Sequence, residues 1–163
     1  MATSITDLTA EEDLLIATFL LGEEGAFGIE AILIQEVVMV GEITPVRHAP
    51  EYVAGIRNLR GRIITVIDLC VRLGIGAVRL GPESRILIAD WKGEPVGLLV
   101  DEVGDAIAVE NGELQPAPPN LHGVQMQKML GVFHCGQRLA ALLDPAAVLA
   151  PDDHVSKPMA NEE

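Results

Sequence analysis

Two arginines bracket a glycine in Asn58-Leu59-Arg60-Gly61-Arg62, in a chain whose formal net charge is −13. A guanidinium is planar, permanently charged and rich in donors. Held in a turn, it grips a carboxylate or a helix-end carbonyl at two points. Two readings follow for Arg60: a contact with a partner, or an internal bond to Glu36 or a backbone carbonyl that fixes the turn. Other reactive types are less organised. His48, His122, His134 and His154 have no metal-ligand spacing with Cys70 or Cys135, which argues against a zinc site. Asp101, Glu102 and Asp105 lack the acid-and-glycine order of an EF-hand and read as a solvated strand end. Ser4, Ser84 and Ser156 sit in no nucleophile elbow. Gly74 and Gly76 precede no helix signal, so no dinucleotide loop is indicated. No catalytic residue, metal or cofactor is assigned. Tyr52 and Trp91 are too few for a base-stacking platform.

The elements that must position the arginine turn are strands. Apolar residues make up 49% of the 163-residue chain but aromatics only 3%, so the core is aliphatic. The length suits one ordinary domain or two small ones. No apolar run is long enough for a membrane span, and the first residues lack a signal-peptide pattern. The expectation is a soluble cytoplasmic protein with Cys70 and Cys135 as free thiols. An acidic chain is a poor partner for nucleic acid or an anionic membrane. Yet residues 47–85 hold seven basic against three acidic residues, a net of +4, which leaves −17 for the rest. The arginine turn lies inside this basic island.

In chain order, Leu14–Leu21 and Ala26–Ile29 read as a hairpin. Residues 31–38 fit a short helix and a strand equally. Glu42–Val46 is extended, and Ala49–Gly55 reads as one helical turn with Pro near its start and Gly at its end. Ile63–Leu69 is a buried strand, and Asp68 caps a helix over Leu69–Leu73 that stops at Gly74. Strands follow at Ser84–Trp91, Val96–Val100 and Val103–Val109. A long loop covers 110–127. Leu130–Phe133 and Arg138–Leu143 form a last hairpin, and Asp144-Pro145 opens a short helix.

The chain also repeats itself. Setting Gly28 on Gly97 places Phe19 on Ile88, Glu36 on Asp105 and Val38 on Ile107. Setting Gly55 on Gly131 places Arg62 on Arg138, Val66 on Leu142 and Asp68 on Asp144. Neither block needs a gap. The offset rises from 69 to 76, so the second copy carries a seven-residue insertion in its Pro-rich loop. Five short strands bury their edges best by closing into a barrel. The expected architecture is mainly β: two five-stranded SH3-like barrel subdomains in tandem, with short helical turns. The expected boundaries are 13–76 and 84–150, joined by a linker at 77–83 and flanked by tails at 1–12 and 151–163. Asn58-Leu59-Arg60-Gly61 has no counterpart in the second copy.

The stretches FLLGEEGAFGIEAILIQEVV, PVRHAPEYVAGIRNLRGRIITVIDL, PVGLLVDEVGDAI and LQPAP together resemble the CheW-like coupling proteins of bacterial chemotaxis, over roughly Leu14–Leu149. The resemblance implies two SH3-like barrels side by side and non-catalytic adaptor work. The partners it implies are the cytoplasmic tip of chemoreceptors, at membrane-associated arrays, and the regulatory domain of a CheA-type histidine kinase. By position, a receptor-binding groove would include Ile34, Glu36, Gly55, Arg60, Gly61 and Ala106. Gly97 and Gly131 would be close-approach positions for the kinase. A related pilus-driven motility pathway fits the same resemblance. A small molecule bound in the inter-barrel cleft is the reading of a different class, and it needs a titratable cluster there. The sequence departs from the family at His48 and in the LHGVQMQKM loop.

Overall fold

The computed structural model describes residues 13–23 and 25–151. The tail expected at 1–12, and all but the first residue of the tail expected at 151–163, lie outside the described residues. Among the described residues twelve strands form, in order β1 (Asp13–Leu21), β2 (Gly25–Glu30), β3 (Ile34–Met39), β4 (Val53–Leu59), β5 (Arg62–Asp68), β6 (Arg85–Trp91), β7 (Glu94–Val100), β8 (Glu102–Glu110), β9 (Asn120–Leu121), β10 (Val124–Gln125), β11 (Met129–Cys135) and β12 (Arg138–Leu143). The described residues also hold two five-residue α-helices, α1 (Leu69–Leu73) and α2 (Pro145–Leu149). Both start as the sequence implies. The Asp68 carboxylate accepts from the Val71 amide at 3.1 Å and the Asp144 carboxylate from the Ala146 amide at 3.0 Å, each satisfying an orphan donor of the first turn. Gly74 ends α1 at φ 78°.

Residues 31–38 are helix and strand in succession: a 3-10 turn over Ala31–Leu33 leads into β3. The helical turn expected over 49–55 does not form, because Val53 and Gly55 already belong to β4, paired with Ile67 and Val66. The long 110–127 loop contains a small hairpin, β9–β10.

Strand pairing revises the expected domain boundaries. One sheet runs β11-β12-β2-β1-β8 and the other β4-β5-β7-β6-β3. Each sheet takes its two-stranded hairpin from one copy and its other three strands from the other copy. The subdomains are therefore not 13–76 and 84–150. The first hairpin (β1–β2) joins β8, β11 and β12, while β3–β5 join β6–β7. The stretch 77–83 connects α1 to β6, and both sides of it serve the same sheet. That stretch is pinned: Val78 N donates to Asp68 at 3.1 Å and Arg79 N to Asp101 at 3.0 Å.

The exchange keeps the duplication intact. Reading the two sheets in the orders above matches every strand to its sequence counterpart, with the same antiparallel and parallel pairings. One detail changes. Thr18 faces Gly28 while Ile88 faces Gly97, so Thr18, not Phe19, is the counterpart of Ile88. The β1–β2 turn is one residue longer than the β6–β7 turn, and one residue reverses the face of a strand. The edge strands of each sheet are drawn together by a single bridge, Thr44 to Ile56 in one and Gln115 to Val132 in the other. The two five-stranded sheets are thus SH3-like but not closed barrels: an isolated bridge, not a continuous ladder, links their edges.

Ile16, Phe133, Ala140 and Leu142 fill the interior of the first barrel. A larger cluster joins the interior of the second barrel (Ile64, Val66, Ile86, Ile88) to the contact between the barrels (Phe19, Phe27, Leu87, Leu98). Glu30 is a buried acid at 5% exposure. Burial, and secondarily the charge of Asp144, raises its pKa above the ordinary carboxylate value. A raised folded pKa favours the protonated form, so this contribution to stability is present at low pH and lost as pH rises through that pKa. Glu30→Gln is expected to raise the thermal midpoint at pH 7 by a few degrees. Its advantage should shrink as pH is lowered through the raised pKa, as read by paired melts of the two proteins.

Candidate partner-binding surface

Leu59 and Arg62 close the β4–β5 hairpin around Arg60 and Gly61, with φ of 54° and 88°. Positive φ at both central positions matches the strand twist. Glycine meets this without strain at Gly61, where a Cβ would enter open space. The Asn58 side chain accepts from the Gly61 amide at 2.9 Å and stiffens the turn. Arginine in the left-handed region is uncommon, but Lys92 repeats it at φ 54° in the β6–β7 turn. The conformation alone does not set Arg60 apart.

Its partner does. Arg60 forms an ion pair with Glu36 on β3. β3 and β4 are opposite edges of one sheet, so the pair spans the seam where the barrel closes. Arg57 ties the same seam by donating from Nε to the Val40 carbonyl at 2.8 Å. The Arg60 side chain is 68% exposed and that of Glu36 36%. The internal reading of Arg60 is therefore realised, and most of the guanidinium still faces solvent. In the second copy Asp105 matches Glu36 but Gly136 stands in place of Arg60, so this seam is unduplicated.

The basic island divides: Arg47, Arg60, Arg62 and Arg79 are exposed, while Arg57, Arg72 and Arg85 are half-buried and donate to backbone carbonyls. Arg72 donates to the Ala150 carbonyl at 2.7 Å and lies 4.1 Å over the Tyr52 ring. Arg85 donates to the carbonyls of Pro82 and Ser84.

The remaining expected site residues separate. Ile34 is half-buried against the core. Ala106 is exposed on β8, the edge of the other sheet, where it pairs with Ala17. Gly55 is buried. A Cβ there would fall on the Thr44 carbonyl oxygen and 2.7 Å from Ile43 Cγ2. Gly97 is buried too, and its absent side chain makes room for Ile86 Cγ2, 2.9 Å from an added Cβ. Gly131 is buried at the bulge of β11 that matches the bulge at Gly55. These three glycines shape strands and offer no surface of their own.

Exposed aliphatics that the sequence reading missed lie next to Glu36. Ile32, in the turn before β3, is 88% exposed, and Val37 and Met39 face outward on β3. Strand alternation from Ile34 would have revealed Val37 and Met39 had the segment not also fitted a helix. A separate groove of about 370 Å³ lies between the 46–52 strap, the outer face of β4–β5 and the end of α2. Its lining is apolar but for Tyr52 and Thr65, and it includes none of the expected site residues.

The fold and these surfaces define a small double-barrel binding module. The CheW-like domain model matches residues 16–152. The chain belongs to that family and is a chemotaxis adaptor of its kind. The chemotaxis protein CheW of Rhizobium meliloti (strain 1021) is 31% identical over 138 residues, spanning 85% of this chain and 88% of that protein. The CheW of Treponema pallidum (strain Nichols) is 31% identical over 138 residues, with 82% and 81% covered. The crystal structure of scaffolding protein TtCheW from Thermoanaerobacter tengcongensis superposes with a TM-score of 0.73 at 33% identity, over 81% of this chain and 84% of that one. Among the described residues no helix is long and apolar enough to cross a membrane.

Proposed function

We propose that this chain couples the cytoplasmic tip of chemoreceptors to a CheA-type histidine kinase, without catalysis of its own. On this reading it works in the cytoplasm at receptor arrays. The observation that carries the proposal is the Arg60–Glu36 seam: an exposed guanidinium anchored by a half-buried carboxylate, with exposed Ile32 in the 3-10 turn that leads into the same strand. A receptor tip is a helical hairpin, and helices dock through aliphatic anchors flanked by charges. Ile34, Glu36, Arg60 and Gly61 form the receptor face, with Ala106 on the corresponding strand of the other barrel. Gly55 serves that face by letting the Thr44 strap approach β4. The kinase engages separate barrel ends, whose strands Gly97 and Gly131 shape from within.

Arg60→Glu is expected to weaken receptor-tip binding about tenfold or more. The cost in fold stability should stay below about 1 kcal/mol, because the broken pair is exposed. Calorimetric titration with a receptor-tip fragment, alongside thermal melts, reads both. A loss of stability that accounts for the lost binding would sink the proposal. The exchanged pair Arg60→Glu with Glu36→Arg sharpens the test. If binding returns with it, Arg60 acts only by closing the barrel.

A further inference from the structure

The groove and its counterpart in the other copy differ in one respect. In the first copy the groove walls are Val53, Ile56, Thr65, Ile67, Val96 and Leu149. Strand pairing and the repeat offset match these to Met129, Val132, Ala141, Leu143, Phe27 and Leu73. All six of the latter are buried. In the first copy Thr65 is exposed, and Val53, Ile56 and Val96 are only half-buried.

The reason is the strap that follows each closing bridge. Pro45 follows Thr44 and Pro116 follows Gln115. From there the first copy reaches β4 through residues 45–52, and the second reaches β11 through residues 116–128, five residues longer. The extra length folds as the β9–β10 hairpin, with positive φ at His122 (57°) and Gly123 (85°). This hairpin covers the counterpart groove. The His122 ring lies 5.4 Å from that of Phe27, and its Nε2 is 3.1 Å from the Leu139 carbonyl oxygen. Val124 is fully buried in the same cluster as Phe27, Met129 and Leu143. Gly123 packs on Ile75, the counterpart of groove residue Pro151.

We infer that the open groove is a docking site for a β-hairpin loop of a partner protein, one that presents an aliphatic side chain and a ring or amide donor at its tip. Among the described residues the molecule contains both the filled and the unfilled version of one site, and the filled version states the ligand chemistry. The aliphatic group takes the place of Val124 over Ile67 and Val96. The donor faces the carbonyl of Ile63, which corresponds to that of Leu139. The half-buried apolar walls Val53, Ile56 and Val96 supply the driving force. The site shares no residue with the Arg60–Glu36 seam, so it stands independently of the receptor reading.

The test uses the full chain and a backbone-cyclised peptide carrying Asn-Leu-His-Gly-Val-Gln as the probe. Methyl NMR titration is expected to give saturable shifts at Val53, Ile56, Ile67, Val96 and Leu149, with a Kd of about 0.1–1 mM for so small a ligand. Thr65→Arg and, as a second exposed-site variant, Thr65→Glu should each weaken this at least about tenfold while leaving the melt unchanged. Absence of saturable shifts, or shifts indifferent to both variants, overturns the inference. So does an amphipathic helical peptide that binds the groove more tightly than the hairpin. Concentration-dependent dimerisation abolished by Thr65→Arg would assign the groove to a second copy and overturn it as well.

Discussion

Phe27→Ala is expected to lower the unfolding free energy by about 3–5 kcal/mol, a large fraction of the stability of a domain this size. Phe27 is fully buried on β2, a strand flanked by β1 and β12. Its ring lies 6.4 Å from Phe19 and 5.4 Å from His122. Aromatic residues are few in this chain, and the neighbouring Phe19 is itself buried in the core, so it could refill the space only by opening another. The loss should have a local signature too. The β9–β10 hairpin would lose the surface that His122 and Val124 cover, so amide exchange over 120–125 should accelerate beyond the global change. Denaturant melts give the first quantity and hydrogen exchange the second. A cost below about 1 kcal/mol would mean that the hairpin does not pack on Phe27 as described.

Gly55→Ala is expected to cost about 2–4 kcal/mol, combining backbone strain with overpacking. At φ 150° an alanine Cβ would be driven onto the Thr44 carbonyl oxygen. That obstacle is backbone and cannot rotate away. Thr44 and Ile56 exchange two hydrogen bonds, at 2.9 and 2.8 Å, and these hold the closing strap. The substitution should therefore reduce stability first and partner binding only as a consequence. A binding defect in a variant with an unchanged melt would instead place Gly55 at the interface, against its burial. The contrast with Arg60→Glu, where binding falls and the melt holds, separates a residue that builds the surface from one that presents it.

The arginine turn, the two helix caps and the repeat are all legible in the sequence because each is a local signal. Asn58, Arg60 and Gly61 specify a tight turn through side-chain bonding and permissive φ. Asp68 and Asp144 cap through an amide two or three residues away. The partnership of Arg60 with Glu36 was one of two readings, and distance along the chain hid which applied. Gly55, Gly97 and Gly131 were read as contact points because a strand glycine signals a close approach without naming what approaches. At Gly55 and Gly97 the approach comes from within, from Thr44 and Ile86, and Gly131 sits at the bulge of β11. Val37 and Met39 were missed because residues 31–38 satisfy both periodicities, and the boundary between the 3-10 turn and β3 falls inside that window.

The sequence by itself determined most of the strands (β3, β4 and the β9–β10 hairpin excepted), the helix caps, the arginine turn, the aliphatic core and the presence of two related halves. These follow from short-range chemistry and from alternation along single strands. The tertiary structure alone decided that the halves exchange hairpins, that β3 and β4 meet across an ion pair, and that one of two equivalent grooves is filled while the other stands open. The reason is that duplicated strands carry nearly equivalent patterns. A β1–β2 hairpin finds an acceptable apolar face in either copy, so local signals cannot select its partner. That selection rests on contacts made by the whole chain at once.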